Sequence, residues 1–261
     1  MKIAAYMVVK NDAYFIGMAI KSVLPYVCGI YIQDQMSDDG TWEKIQEIGR
    51  GEKKIVGEQV DTGPGRFHDG YNEPFFRSMA VERCEEIFKP EWVLKLDADE
   101  IYTPFFFEQL EKADLKDYEA VRVAGDRFIS KTRRSNHPSS METSPEGVKF
   151  VDPHTQLWRA GLGIRYMQNP FFTRFHPILS PDPWPQYWLE GICNIHLHRI
   201  FGPKSLPFWR DEGGGNMVHP YHPPTQAKKW YESSVNLGNS EEVDFVWPDF
   251  VLEKWKDWGI W

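Results

Sequence analysis

Apolar and polar positions follow two periods along the first hundred residues. Apolar runs at residues 3–9, 29–33, 54–59 and 92–96 have the length of strands, and residues 13–24, 42–48 and 75–88 carry apolar side chains at helical spacing. This alternation predicts an α/β fold in which a central, mostly parallel sheet is flanked by helices. In such sheets ligands lie at the carboxyl ends of the strands. The polar residues at those ends are Lys10, Asn11 and Asp12, then residues 34–41, then residues 97–100.

From about residue 126 the pattern changes. Polar, Pro-bearing loops such as 131–140 interrupt shorter strand candidates at 156–159 and 192–198, which predicts a less regular second half. In the tail, Val251, Trp255 and Trp258 recur at helical spacing beside Trp247 and Trp261. Core packing is favoured there over a membrane-surface role, because only Lys254 and Lys256 add positive charge, and any membrane contact would be peripheral.

A chain of 261 residues can bury a substantial core as one domain or two fused lobes. A net charge of -8 argues against nucleic acid as a partner, since phosphate-tracking surfaces are basic. The 11 Trp, 11 Tyr and 17 Phe suit core packing, with sugar stacking by Trp184 or Trp188 as the functional alternative. Cys28, Cys84 and Cys193 lack any paired spacing, so they read as reduced thiols, two of them in the core. No apolar stretch approaches the ~18 residues needed to span a bilayer. The first apolar run is too short for a signal peptide and reads as a strand, so the expected location is cytoplasmic. Gly63, Gly65 and Gly70 lack dinucleotide-binding spacing.

The run Trp92-Val-Leu-Lys-Leu-Asp97-Ala-Asp99-Glu100 ends a buried-strand pattern in three carboxylates. Left unpaired in the interior these would cost several kcal/mol, so they need water, a cation or a partner. Period two points Asp97 and Asp99 the same way, and carboxylate oxygens are the ligands that Mg²⁺ and Mn²⁺ prefer. A solvated acidic turn is the plainer reading of an isolated Asp-x-Asp. Lys95 is assigned to the opposite face and left out of the site. In Ile195-His196-Leu-His198 the same period places two imidazoles on one side of a strand, as metal ligands or as ordinary sheet-edge histidines. A base for an attacking hydroxyl would come from Asp152, His154, His176, Asp182 or Glu190. Glu190 is preferred because partial burial after Tyr187-Trp-Leu would raise its pKa.

The second strand and its turn, Ile30-Tyr-Ile-Gln-Asp34-Gln-Met-Ser37-Asp-Asp39-Gly40-Thr41, closely resemble the family-2 glycosyltransferase pattern of apolar strand, Asp, short turn, Ser, Asp, Gly, Ser or Thr. With Val9-Lys-Asn11, Arg77 and Leu96-Asp97-Ala-Asp99-Glu100, the chain is similar to glycosyltransferases of the A-type (GT-A, Rossmann-like) fold over residues 2–103. A weaker echo runs through residues 157–166 to Phe175-His176. There relatives often carry Glu after the histidine where this chain has Pro177, and the Glu-Asp pair that holds the base of many inverting members is not evident.

The resemblance implies a nucleotide-sugar donor, foremost a UDP-sugar, bound with Mn²⁺ or Mg²⁺ by residues 1–125. The sugar would pass with inversion to a hydroxyl of a glycan or glycolipid acceptor held by residues 126–261. Asp99 would touch the metal, Asp97 would act through water or on the donor ribose, and His198 would complete the metal shell. Val9, Asn11, Asp34 and Arg77 would hold the nucleotide, with Asp34 at the base and Arg77 on phosphate or on Asp34, and Lys204 would help neutralise the leaving diphosphate. Turn capping is the alternative for Asp34 and the favoured role of Asp39 and Thr41. Gly213 to Gly215 read as a flexible loop. Two other classes remain open. A metal-dependent hydrolase would use His196, His198, His219 and His222 with Asp97 or Asp99, but it leaves the 34–41 turn unexplained. A non-catalytic carbohydrate-binding relative would not need the acids.

Overall fold

The computed structural model describes residues 1–63, 72–128, 132–135, 141–151, 153–167, 178–197 and 240–257. In the first half, β1 (Ile3–Val9), β2 (Gly29–Asp34), β3 (Ile55–Gln59) and β4 (Trp92–Lys95) alternate with α1 (Ile16–Val23), α2 (Thr41–Gly49) and α3 (Glu73–Phe88), as the periodicity predicts. There follow β5 (Glu100–Tyr102), α4 (Pro104–Lys112) and β6 (Ala120–Arg127). Six further short or irregular strands come next: β7 (Arg133–Ser135), β8 (Met141–Thr143), β9 (Lys149–Val151), β10 (Pro153–Arg159), β11 (Arg165–Met167) and β12 (Ile178–Ser180). The long β13 (Gln186–His196), β14 (Ser240–Glu242) and α5 (Asp249–Asp257) complete the described elements.

Eight strands form one sheet in the order β3-β2-β1-β4-β10-β6-β13-β5. The first four are mutually parallel, β10 runs antiparallel to both β4 and β6, β13 is parallel to β6, and β5 is antiparallel at the edge. The fold is therefore α/β with a mostly parallel sheet. Its strands come from both halves of the chain.

β1 reads as an unbroken apolar run because helices cover both of its faces. Ile3, Ala5, Met7 and Val9 pack with Ile16 and Ile20 of α1 and Phe106 of α4, whereas Ala4, Tyr6 and Val8 pack with Ala80, Val81 and Cys84 of α3. α3 starts before the apolar periodicity does. Asn72 caps it by accepting from Phe75 N at 3.1 Å, and Pro74 sits in the first turn, where its missing N–H costs nothing.

α5 buries Val251 and Trp255 in a cluster with Trp247, Phe128, Ile101, Ile195 and Leu197, and with Phe15 and Met18 at the start of α1. The tail thus packs as core at Trp247, Val251 and Trp255; Trp258 and Trp261 lie outside the described residues. Cys84 and Cys193 are buried and Cys28 is half-buried, all three as free thiols. No described helix is long and apolar enough to cross a membrane.

The start of β2 is a tight point. A Cβ on Gly29 would fall 2.1 Å from the ring of Phe88, at the end of α3. Gly29→Ala should lose about 1–3 kcal/mol in urea unfolding through overpacking. Adding Phe88→Leu should recover part of that loss.

Candidate active site

β1 leads through α1 to β2 on one side, while β3 leads through α3 to β4 on the other side of β1. The crevice between β1 and β4 is therefore a topological switch point, where open α/β sheets take their ligands. Because β2, β1 and β4 are adjacent and parallel, their carboxyl ends bring residues 34–41, 10–13 and 97–100 side by side.

The first two of these segments are laced together. Asn11 N donates to Ser37 Oγ at 2.9 Å, Asp38 N to Asn11 Oδ1 at 3.0 Å, Asp12 N to Thr41 Oγ1 at 2.8 Å and Ala13 N to Asp39 Oδ2 at 3.0 Å. Lys10 Nζ donates to the carbonyls of Gln35 (2.7 Å) and Met36 (3.2 Å). The backbone turns sharply through positive φ at Asn11 (58°) and Met36 (55°), a region that Asn tolerates and Met rarely enters. Val9 contributes its carbonyl, which accepts from Gln35 N at 2.8 Å.

Asp34 is fully buried at the end of β2. Its Oδ2 accepts from Ser37 N (3.1 Å) and Gln59 Nε2 (2.9 Å), and its Oδ1 accepts from Ser37 Oγ. This is the turn-capping arrangement, with one strand neighbour added. Asp39 likewise accepts from Thr41 N and Oγ1 just before α2.

The third segment is a tight turn in which Glu100 N donates to the Asp97 carbonyl at 3.1 Å and Leu197 N donates to the Asp99 carbonyl at 2.8 Å. Arg77 Nη1 lies 2.9 Å from Asp97 Oδ1, and Lys95 Nζ lies 2.6 Å from Asp97 Oδ2, so each oxygen of Asp97 faces a cation. Arg77 is itself held by Glu73 at 2.8 Å one helical turn earlier, and the ring of Tyr166 lies 5.7 Å from its guanidinium carbon. Glu100 is fully buried. Its carboxylate meets Lys95 Nζ at 3.5 Å, His196 Nε2 at 3.0 Å and Asn194 Nδ2 at 3.3 Å, which joins the turn to the end of β13.

Burial by itself pushes the Asp97 carboxyl up, but Arg77 and Lys95 outweigh it and hold the group well below its ordinary value. Glu100 follows the same logic: burial raises it, and Lys95 and His196 bring it below the usual carboxylate range. For Lys95, burial lowers the ammonium's pKa, while Asp97 and Glu100 more than reverse this and keep it charged.

Lys95 is the residue that sequence reasoning missed. The expectation that it faces away from the acids is corrected here, since Lys95 and Asp97 are two residues apart and period two puts them on one face. That spacing was the available signal. Arg77 was expected on phosphate or on Asp34 and instead pairs with Asp97. Glu190 is exposed on β13, at the break in its register with β6, without the burial expected of it, and it lies six residues before His196. His154 is exposed on β10 and Asp182 is exposed before β13. Asp152, His176, His198, Lys204, His219, His222 and Gly213 to Gly215 lie outside the described residues.

Among the described residues, no three His, Cys, Asp or Glu side chains form a ready metal-binding set. Asp97 does not fit a direct metal ligand, because an ammonium and a guanidinium occupy its two oxygens. Asp99, on the same turn, is half-buried. A groove of about 500 Å³ between α2 and β3, lined by Trp42, Ile45, Gln46 and Arg50 among others, shares no residue with the turn.

No protein-family model matches the chain, and no curated protein matches it. Among solved structures, a mannosyltransferase from Pyrobaculum calidifontis in complex with GDP-Man and Mn²⁺ is 16% identical with a TM-score of 0.35, over 49% of this chain and 36% of that one. A putative glucose-1-phosphate thymidylyltransferase from Bacillus anthracis in complex with a sucrose is 10% identical with a TM-score of 0.35, over 61% of this chain and 69% of that one. The chain thus spans little more than a third of the mannosyltransferase. Likenesses this slight carry no argument about function.

The ion network sets a pH dependence. Carboxyls held below their ordinary pKa contribute stability that is fully present above the unfolded value of about 4 and is lost as pH falls through the depressed folded value. Stability should therefore drop on acidification below about pH 4. Arg77→Met, which leaves Asp97 and Glu73 short of a partner, should cost about 3–5 kcal/mol at pH 7 in chemical denaturation. It should also flatten the acid limb.

Proposed function

We propose that the protein is a nucleotide-sugar-dependent glycosyltransferase that works at the crevice between β1 and β4. One observation carries this reading: three polar segments converge at the carboxyl ends of adjacent parallel strands, at a topological switch point, around an acidic turn held by partly buried ion pairs. A carboxylate turn suits an anionic ligand when a divalent cation bridges the two.

In this reading the loop of residues 10–13 and 34–41 receives the nucleoside. Asp34 shapes that loop from beneath through Ser37 and Gln59. Asp97 fastens the turn to α3 through Arg77, and Asp99 presents its carboxylate toward the donor diphosphate. A divalent cation held by Asp99, with ligands from beyond the described residues, would neutralise charge on the leaving diphosphate. The resemblance points to a UDP-sugar as donor, a glycan or glycolipid hydroxyl as acceptor and inversion as the outcome, with His198 and Lys204 as the added ligand and counter-charge.

Calorimetric titration of UDP, GDP and dTDP into the protein, with Mn²⁺ and then with chelator, tests the reading. One nucleotide should bind only with metal, and Asp99→Asn should abolish that binding while keeping the fold. Turnover of the matching sugar donor should fall about 10²–10³-fold in the variant. Absence of binding for every nucleotide, or unchanged binding by Asp99→Asn, would overturn it.

A further inference from the structure

The acidic turn contains more negative charge than a buried strand end tolerates, and the described residues show how that charge is met. Glu73, Asp97 and Glu100 face Arg77 and Lys95, with His196 against Glu100 and Asp99 on the same turn. Arg77 is divided between Glu73 and Asp97. Among the described residues, Lys95 is the permanent cation that reaches both Asp97, at 2.6 Å, and Glu100, at 3.5 Å, and its side chain is only 16% exposed. Its own backbone is anchored as well, because Tyr102 Oη donates to the Lys95 carbonyl at 2.7 Å.

We propose that Lys95 is a positioning residue, an internal counter-cation whose ammonium clamps Asp97 to Glu100 and so holds the Asp99-bearing turn in its working shape before any metal arrives. The inference rests on the transferase reading only for the use to which Asp99 is put. The clamp itself follows from charge and distance. Two carboxylates brought together without a cation between them repel, and a hard divalent ion, which takes oxygen ligands, can supply the missing positive charge. A chain carrying Lys95 needs no such ion to keep the turn closed. A chain without it acquires that need.

The test is thermal unfolding of the full chain in chelator and in Mn²⁺ alone, without nucleotide, for the wild type, Lys95→Met, Lys95→Arg and the double variant Lys95→Met/Glu100→Gln. The wild-type midpoint should be the same in both conditions. Lys95→Met should melt lower in chelator and regain about 4 °C or more with Mn²⁺. Lys95→Arg, which keeps the charge, should show no metal dependence. The double variant, which removes one charge of each sign, should melt above Lys95→Met in chelator and ignore Mn²⁺. A merely structural lysine predicts a loss that Mn²⁺ does not restore, so a folded Lys95→Met indifferent to Mn²⁺ overturns the proposal. If Lys95→Met does not fold, a double variant that is no more stable overturns it equally. Nucleotide binding by the wild type separates the two claims: a protein that binds no nucleotide but whose Lys95→Met form gains the metal dependence loses the transferase reading and keeps the clamp.

Discussion

Asp97 sits where β4 leaves the sheet, with its side chain only 23% exposed, and the two cations that meet its oxygens offset the cost of that partial burial. Much of the surrounding architecture serves this requirement. Arg77 has to come from the first turns of α3, so the helix must begin early enough to bring it over β4, and the cap by Asn72 and the Pro74 start accomplish that. Lys95 has to share a face with Asp97, and their two-residue spacing at the end of β4 brings them within 2.6 Å. Glu100 then closes the turn against β13, so that a short stretch of chain ties together α3, β4, β5 and β13.

The neighbouring loops are stiffened by hydrogen bonds in place of charge. Residues 10–13 and 34–41 exchange backbone and side-chain bonds through Asn11, Ser37, Asp39 and Thr41, which leaves this rim little freedom to rearrange. Asp34 shows why strand-end acids are ambiguous from sequence. The same carboxylate that could read a nucleobase also suits a turn that offers N–H and O–H donors three residues on, and here those donors and Gln59 surround it. Preorganisation of this kind favours a ligand that fits the rim without induced movement.

Beyond the parallel half, the sheet continues through strands whose registers break, at residues 155–157 of β10 and 189–194 of β13. The break in β13 contains Gly191, whose positive φ of 99° permits the kink and where a side chain would meet Phe105. α5 then returns to cover Phe15 and the ends of β5 and β13 with Val251 and Trp255. The C-terminal helix is therefore part of the support for the loop after β1, which links the tail of the chain to the rim of the site.

Strand and helix order over the first hundred residues was legible in the sequence because both faces of β1 and β2 are covered, so their apolar runs and the helical periods between them are strong local signals. The placement of polar segments at the strand ends, and the need of Asp97 for a partner, followed from the same local rules. What the sequence could not decide was which partner. Arg77 lies twenty residues before Asp97, and His196 ninety-six residues after Glu100, and no periodicity links them. The order in which β10, β6, β13 and β5 extend the sheet, and the exposure of Glu190, belong likewise to tertiary structure alone. Those contacts join distant segments through packing and charge balance, and such interactions leave no local pattern in the chain.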